Sequence, residues 1–122
     1  MREIVKTAQN LTPIAQPNID SLIDSFISDQ DVKQSSKDLY RRTFKQYINW
    51  TREQGLQLSG IARPQIIQYK ESLLASGMSS LTIGSYITAV RRFYEWAEAN
   101  KYYPNVAKGI KTPHRKQQFK KQ

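Results

Sequence analysis

The sequence predicts an all-α fold, a compact bundle of four to five helices, on three observations. Apolar residues recur at three- and four-residue spacing in four separate blocks. Capping residues or Pro open these blocks, Gly or Pro follows the last three, and no useful length of chain alternates apolar and polar as a half-buried strand does. At 122 residues the chain can make one domain with a real core and hardly two.

Asn18 is placed to cap a first helix whose stripe is Ile19, Leu22, Ile23, Phe26 and Ile27, running to about Asp29. After the polar connector QDVKQ, Ser35 or Ser36 is expected to cap a second helix, with Asp38 favouring its positive end. Tyr40, Phe44, Tyr47, Ile48 and Thr51 form its inner side, and Gly55 stops it. Pro64 suits the first turn of a third helix, with Ile66, Ile67, Leu73 and Leu74 inward and Gly77 just past its end. The fourth block, Ser79 to Asn100, carries Ile83, Tyr86, Ile87, Val90, Phe93, Tyr94 and Ala97 on one side. Ser79 or Ser80 opens it, and Asn100 is tolerable in the left-handed conformation that ends helices. Pro104 keeps it from continuing, and 105–110 has room for one more short turn. The helical spacing of Tyr40, Phe44, Tyr47, Trp50, Phe93, Tyr94 and Trp96 assigns them to core packing rather than to stacking on bases, and Tyr102 and Tyr103 to closing the bottom of the bundle.

Charge narrows the partner. A net charge of +9 points to an anionic partner, nucleic acid before an acidic membrane surface or protein. Glu98 is the last acidic residue, and seven of the nineteen basic residues follow it, so residues up to 98 are close to balance. From Lys111 onward KTPHRKQQFKKQ has too little apolar surface to order itself. The expected organisation is a lead or arm over 1–17, a helical domain over 18–110 and a basic linker over 111–122. No run approaches the ~20 apolar residues of a membrane span, and the N-terminus lacks the apolar core of a secretory signal. Zero cysteines exclude disulfides and thiolate metal sites. A cytoplasmic location is expected, with nucleoid association in a bacterium or phage, and no cofactor or metal.

The candidate contact residues lie on the outer sides of two helices. Lys37, Arg41, Arg42 and Lys45 belong to the second, and Ser80, Thr82, Ser85, Thr88, Arg91 and Arg92 to the fourth, with Lys111 and Arg115 in the tail. Long cations reach phosphates, and short hydroxyls allow close approach to backbone or base edges. One charged face is ordinarily just a solvated face. Two such faces and a basic tail strengthen the case for an anionic partner, among which charge alone does not choose. Arg91 and Arg92 also have Glu95 and Glu98 one turn on as candidate ion-pair partners. Gly84 costs helix stability, and the sequence leaves its purpose open.

The order of signals resembles a known family. A capped helix with Tyr40, Phe44 and Trp50, then Gly55, a Pro-started helix ending at Gly77, SSLTIGSYITAVRRFYEWA, and Asn105-Val106-Ala107 together resemble the N-terminal core-binding, SAM-like domain of tyrosine recombinases, the phage integrases, over roughly Asn18 to Pro113. The most specific part is Thr82 with Val90-Arg91-Arg92-Phe93-Tyr94 and Trp96-Ala97. The chain departs from the family's Asn-Pro-Ala before the linker, since Pro104 here precedes Asn105.

The resemblance implies half of a C-shaped clamp that lays two helices against the major groove of double-stranded DNA. A separate catalytic domain of the same parent chain would cleave with a tyrosine nucleophile, supported by two arginines, a lysine and a histidine-type residue, without cofactor. That domain would follow the basic linker. Tyr40, Tyr47, Tyr86 and Tyr94 are expected on the core side and His114 in the tail, so no strand cleavage is expected of this chain alone. The further partners implied are other recombinase protomers on DNA, with the isolated domain monomeric. Two other readings stand beside this one: a free-standing helical DNA-binding regulator, which the long LQLSGIA connector does not favour, and a helical protein-interaction adaptor with a basic tail.

Overall fold

A computed structural model of the chain describes residues 18–113, and among them the fold is all-α. The helices are α1 Ile19–Ser28, α2 Gln34–Glu53, α3 Arg63–Ala75 and α4 Ser80–Ala99, with a single 3-10 turn, Leu58–Gly60, between α2 and α3. Residues 106–109 form consecutive turns rather than a fifth helix. The lead over 1–17, His114 and the linker beyond Pro113 lie outside the described residues.

The chain divides into two compact units, one ending at Gln30 and one starting at Asp31. In the first, α1 forms as its sequence dictates. The Asn18 side chain accepts the Ser21 N–H at 3.1 Å, and Leu22, Ile23, Phe26 and Ile27 are buried. Gln30 closes the other end by donating its amide to the Phe26 carbonyl at 3.2 Å.

In the second unit α2 begins earlier than expected. Lys33 is the N-cap, without a side-chain cap bond, and its carbonyl accepts the N–H of Ser36 at 3.0 Å and of Lys37 at 3.1 Å. Ser35 and Ser36 therefore sit inside the first turn, and Asp38 lies beyond it. Gln34 is a better helix former than serine, and its amide donates to the Asp38 carboxylate at 2.8 Å, an i, i+4 bond that secures the added turn. Gly55 and Gly77 end α2 and α3 with φ of 70° and 86°, the left-handed region where glycine has no Cβ penalty. At the end of α4 the left-handed residue is Lys101 (φ 64°), not Asn100 (φ −99°). Asn100 is still helical in bonding: its side chain caps the Trp96 carbonyl at 2.9 Å, and the Tyr102 N–H returns to the Ala97 carbonyl at 2.8 Å.

The core of this unit is the contact of α2 with α4. Phe44 and Phe93 stack with centroids 4.3 Å apart, and the buried hydroxyls of Tyr47 and Tyr94 share a hydrogen bond of 2.7 Å. Thr43, absent from the expected stripe, is buried because its hydroxyl bonds the Leu39 carbonyl at 2.8 Å and so takes no unpaired polar atom inside. Tyr40, Trp50 and Tyr86 are only half-buried, at the edges of the stripes rather than in the core.

The third helix buries a narrower face than expected. Ile66, Tyr69 and Leu73 are buried, whereas Ile67 and Leu74 are 40% and 50% exposed. Each exposed residue follows a buried one, about 100° further round the helix, outside the single stripe that meets its neighbours. Leu58 and Ile61 pin the long connector to the core. After α4, Tyr103 packs toward Phe93 (6.4 Å) while Tyr102, 43% exposed, covers Trp96 from outside (5.4 Å). Ala107 and Ile110 are buried, and the side chains of Arg63 and Lys70 on α3 donate to the carbonyls of Lys108 and Lys111. These bonds hold the segment after α4 in place. Among the described residues no helix is long and apolar enough to cross a membrane.

Candidate nucleic-acid interface

The outer side of α4 takes its form from the start of the helix. Ser79 caps it by accepting the Thr82 N–H at 3.1 Å, and the Ser79 hydroxyl donates to that of Thr82 at 3.0 Å. Thr82 is thus an exposed part of the cap. Half-buried Gly84, Ser85 and Thr88 follow, and then exposed Arg91 and Arg92. The Ser85 hydroxyl leans back to the Leu81 carbonyl at 3.4 Å.

Two open clefts run along this side and meet at Thr88. One, about 320 Å³, lies between α2 and α4 and is lined by Tyr40, Ser80, Gly84, Ser85, Thr88 and Thr112, among others. The other, about 330 Å³, lies between α4 and the turn that follows it, and Arg91, Arg92 and Lys108 line it against the single acid Glu95. The excess of cations makes this cleft attractive to an anion. The guanidinium of Arg92 stands 5.3 Å from the centroid of the Tyr40 ring, which ties the arginine to α2. Glu98, an expected partner of the arginines, instead accepts the Asn105 N–H at 3.1 Å and shapes the turn carrying Lys108.

The structure therefore brings Ser80, Ser85, Thr88, Arg91 and Arg92 onto one continuous surface. Lys37, Arg41, Arg42 and Lys45 stand on α2 outside both clefts, Arg42 and Lys45 exposed and Lys37 and Arg41 half-buried. Lys111 is exposed, with its carbonyl held by Lys70. Arg115 lies outside the described residues. Lys108 is the residue that sequence reasoning missed: it counted only as tail charge, and its place beside Arg91 depends on how the chain folds back after Pro104.

Gly84 has room around it. A Cβ built there would have Thr112 Cβ, at 3.9 Å, as its nearest neighbour, an ordinary contact, so no packing among the described residues requires glycine.

The buried tyrosines are held as neutral phenols. Burial pushes Tyr47 far above the usual phenol range, and the neighbouring Tyr94 adds to it. Tyr94 is raised mainly by burial, partly offset by its hydrogen bond with Tyr47, and Tyr69 by burial and then by Tyr86. Among the described residues no group of three or more His, Cys, Asp or Glu is placed to hold a metal ion.

Comparison with known proteins follows the same lines. The family model described as the phage integrase N-terminal SAM-like domain matches residues 19–101. The chain is similar to tyrosine recombinase XerD of Pseudomonas aeruginosa, at 23% identity over 86 residues, which are 70% of this chain and 29% of that protein. The match thus spans less than a third of the relative's length. No solved structure matches the chain.

Proposed function

The chain belongs to the phage integrase N-terminal SAM-like domain family, and from that premise we propose that it binds double-stranded DNA through the outer sides of α2 and α4, positioning a site for recombination. The observation that carries this reading is the cluster of Arg91, Arg92 and Lys108 around one cleft, continuous through Thr88 with a groove that reaches α2. Phosphates take the guanidinium and ammonium groups, while Gly84, Ser85 and Thr88 keep the surface low enough for the duplex backbone to come close. Base edges offer the hydroxyls a second kind of contact.

In this reading strand cleavage belongs to a catalytic domain of a parent tyrosine recombinase, outside the matched residues 19–101. Tyr47, Tyr69 and Tyr94 serve packing here, each 2% exposed or less and protonated. Other protomers on the same DNA are the remaining partners, and the domain alone is a monomer.

Fluorescence anisotropy of a labelled duplex against salt tests the proposal. With about five phosphates neutralised, the log of affinity falls with log salt at a slope of roughly −4 to −5. Arg91→Ala with Arg92→Ala weakens binding and lowers that slope, while thermal stability changes little. A slope near zero, or binding to an acidic protein but not to duplex, refutes the reading.

A further inference from the structure

A third cleft carries chemistry that DNA binding does not use. It lies between α2 and α3, has a volume of about 200 Å³, and is walled by Trp50, Tyr69, Tyr86 and Met78 with Glu53 on its rim. That volume is below the roughly 300–1,000 Å³ of a site for a drug-sized ligand, so it suits one side chain. The indole of Trp50 and the ring of Tyr69 pack against one another tilted, at 5.2 Å and 53°. Tyr69, 2% exposed, forms the buried floor of the cleft, and its hydroxyl oxygen, sealed from solvent, has no hydrogen-bond partner among the described residues.

Charge decides what fits. Among the described residues no Lys, Arg or His lines this cleft, although the chain carries nineteen basic residues. Its polar groups are the Glu53 carboxylate and uncharged amides and hydroxyls, Gln46 and Asn49 among them. Aromatic faces and a carboxylate together attract a cation. We propose that this cleft receives a lysine or arginine side chain from a partner polypeptide, with the cation against Trp50 and Tyr86 and within reach of Glu53.

Tyr86 lies about 200° round α4 from Gly84 and from Thr88, so a polypeptide here leaves the α4 part of the candidate DNA surface open, while on α2 the cleft begins one turn beyond Arg42, at Gln46. The proposal does not depend on the DNA reading, and either can fail alone.

The test is an NMR titration of the intact chain with the peptide Ac-Ala-Arg-Ala-NH2 and its neutral citrulline counterpart, following the two indole N–H signals. The arginine peptide is expected to shift the Trp50 signal saturably at millimolar concentration and leave that of Trp96 unmoved. The citrulline peptide is expected to bind about tenfold more weakly, in line with the loss of a cation–π contact. Glu53→Gln, an exposed change that leaves the core intact, weakens the arginine peptide about two- to fivefold. Absence of a saturable Trp50 shift up to about 10 mM arginine peptide overturns the proposal, as does equal binding of the citrulline peptide.

Discussion

Replacing Tyr94 by Phe removes one oxygen from the centre of the α2–α4 contact and strands another. The Tyr47 hydroxyl, in a residue with 0% exposure, loses its 2.7 Å partner and has no water to turn to. An unpaired buried hydroxyl costs about 1–3 kcal/mol, more than the bond itself is worth. Tyr47→Phe strands the Tyr94 hydroxyl in the same way, so each single variant is expected to lose about 1–3 kcal/mol, or about 4–20 °C in Tm for a domain of this size. The double Phe variant loses both polar atoms together, keeps the Phe44–Phe93 stack beside them, and is expected within about 1 kcal/mol of the parent. Urea denaturation of all four proteins measures this, provided the slope m is the same in each. If the two single effects add to within about 0.5 kcal/mol in the double variant, the hydroxyls are not coupled and the reasoning is refuted.

Other predictions follow from the same structure. Gly84→Ala adds a Cβ that among the described residues meets only Thr112, at 3.9 Å, so the domain is expected to gain about 0.5–1 kcal/mol; a lower Tm refutes this. If the glycine serves the approach of DNA, the same variant binds duplex less tightly despite its higher stability. Tyr47, Tyr69 and Tyr94 ionise less readily folded than unfolded. Their contribution to stability is therefore complete below about pH 10, the unfolded phenol value, and is lost as pH rises above it. An alkaline transition followed by far-UV circular dichroism, shallower in the double Phe variant, checks the sign. Lys101→Gly relieves a left-handed lysine and is expected to stabilise the end of α4 by about 1 kcal/mol in the same urea assay.

The helices with strong stripes were legible in the sequence because three- and four-residue spacing is a direct projection of one buried face. Phe44, Tyr47, Ile83, Ile87, Val90 and Phe93 read true for that reason. Helix α3 read less well, since Ile67 and Leu74 are as apolar as Ile66 and Leu73 and only packing decides which of them face inward. Caps were half legible. Asn18 and Ser79 compete well for free N–H groups, but α2 begins at Gln34 through an i, i+4 bond that caps by no side chain. The candidate interface shows the same limit. Arg91 and Arg92 stood out on the helix, while Lys108 joined them only through the fold-back fixed by Glu98, Arg63 and buried Ala107.

The central claim is that α2 and α4 hold the same duplex. Arg42 and Arg91, one exposed cation from each helix, test it as Arg42→Gln, Arg91→Gln and the double variant, with the salt dependence of duplex binding measured beside Tm. Each single change is expected to lower the magnitude of the salt slope by about 0.9 and the double by about 1.8, at unchanged Tm. A double variant that binds duplex with the parent's slope contradicts the account.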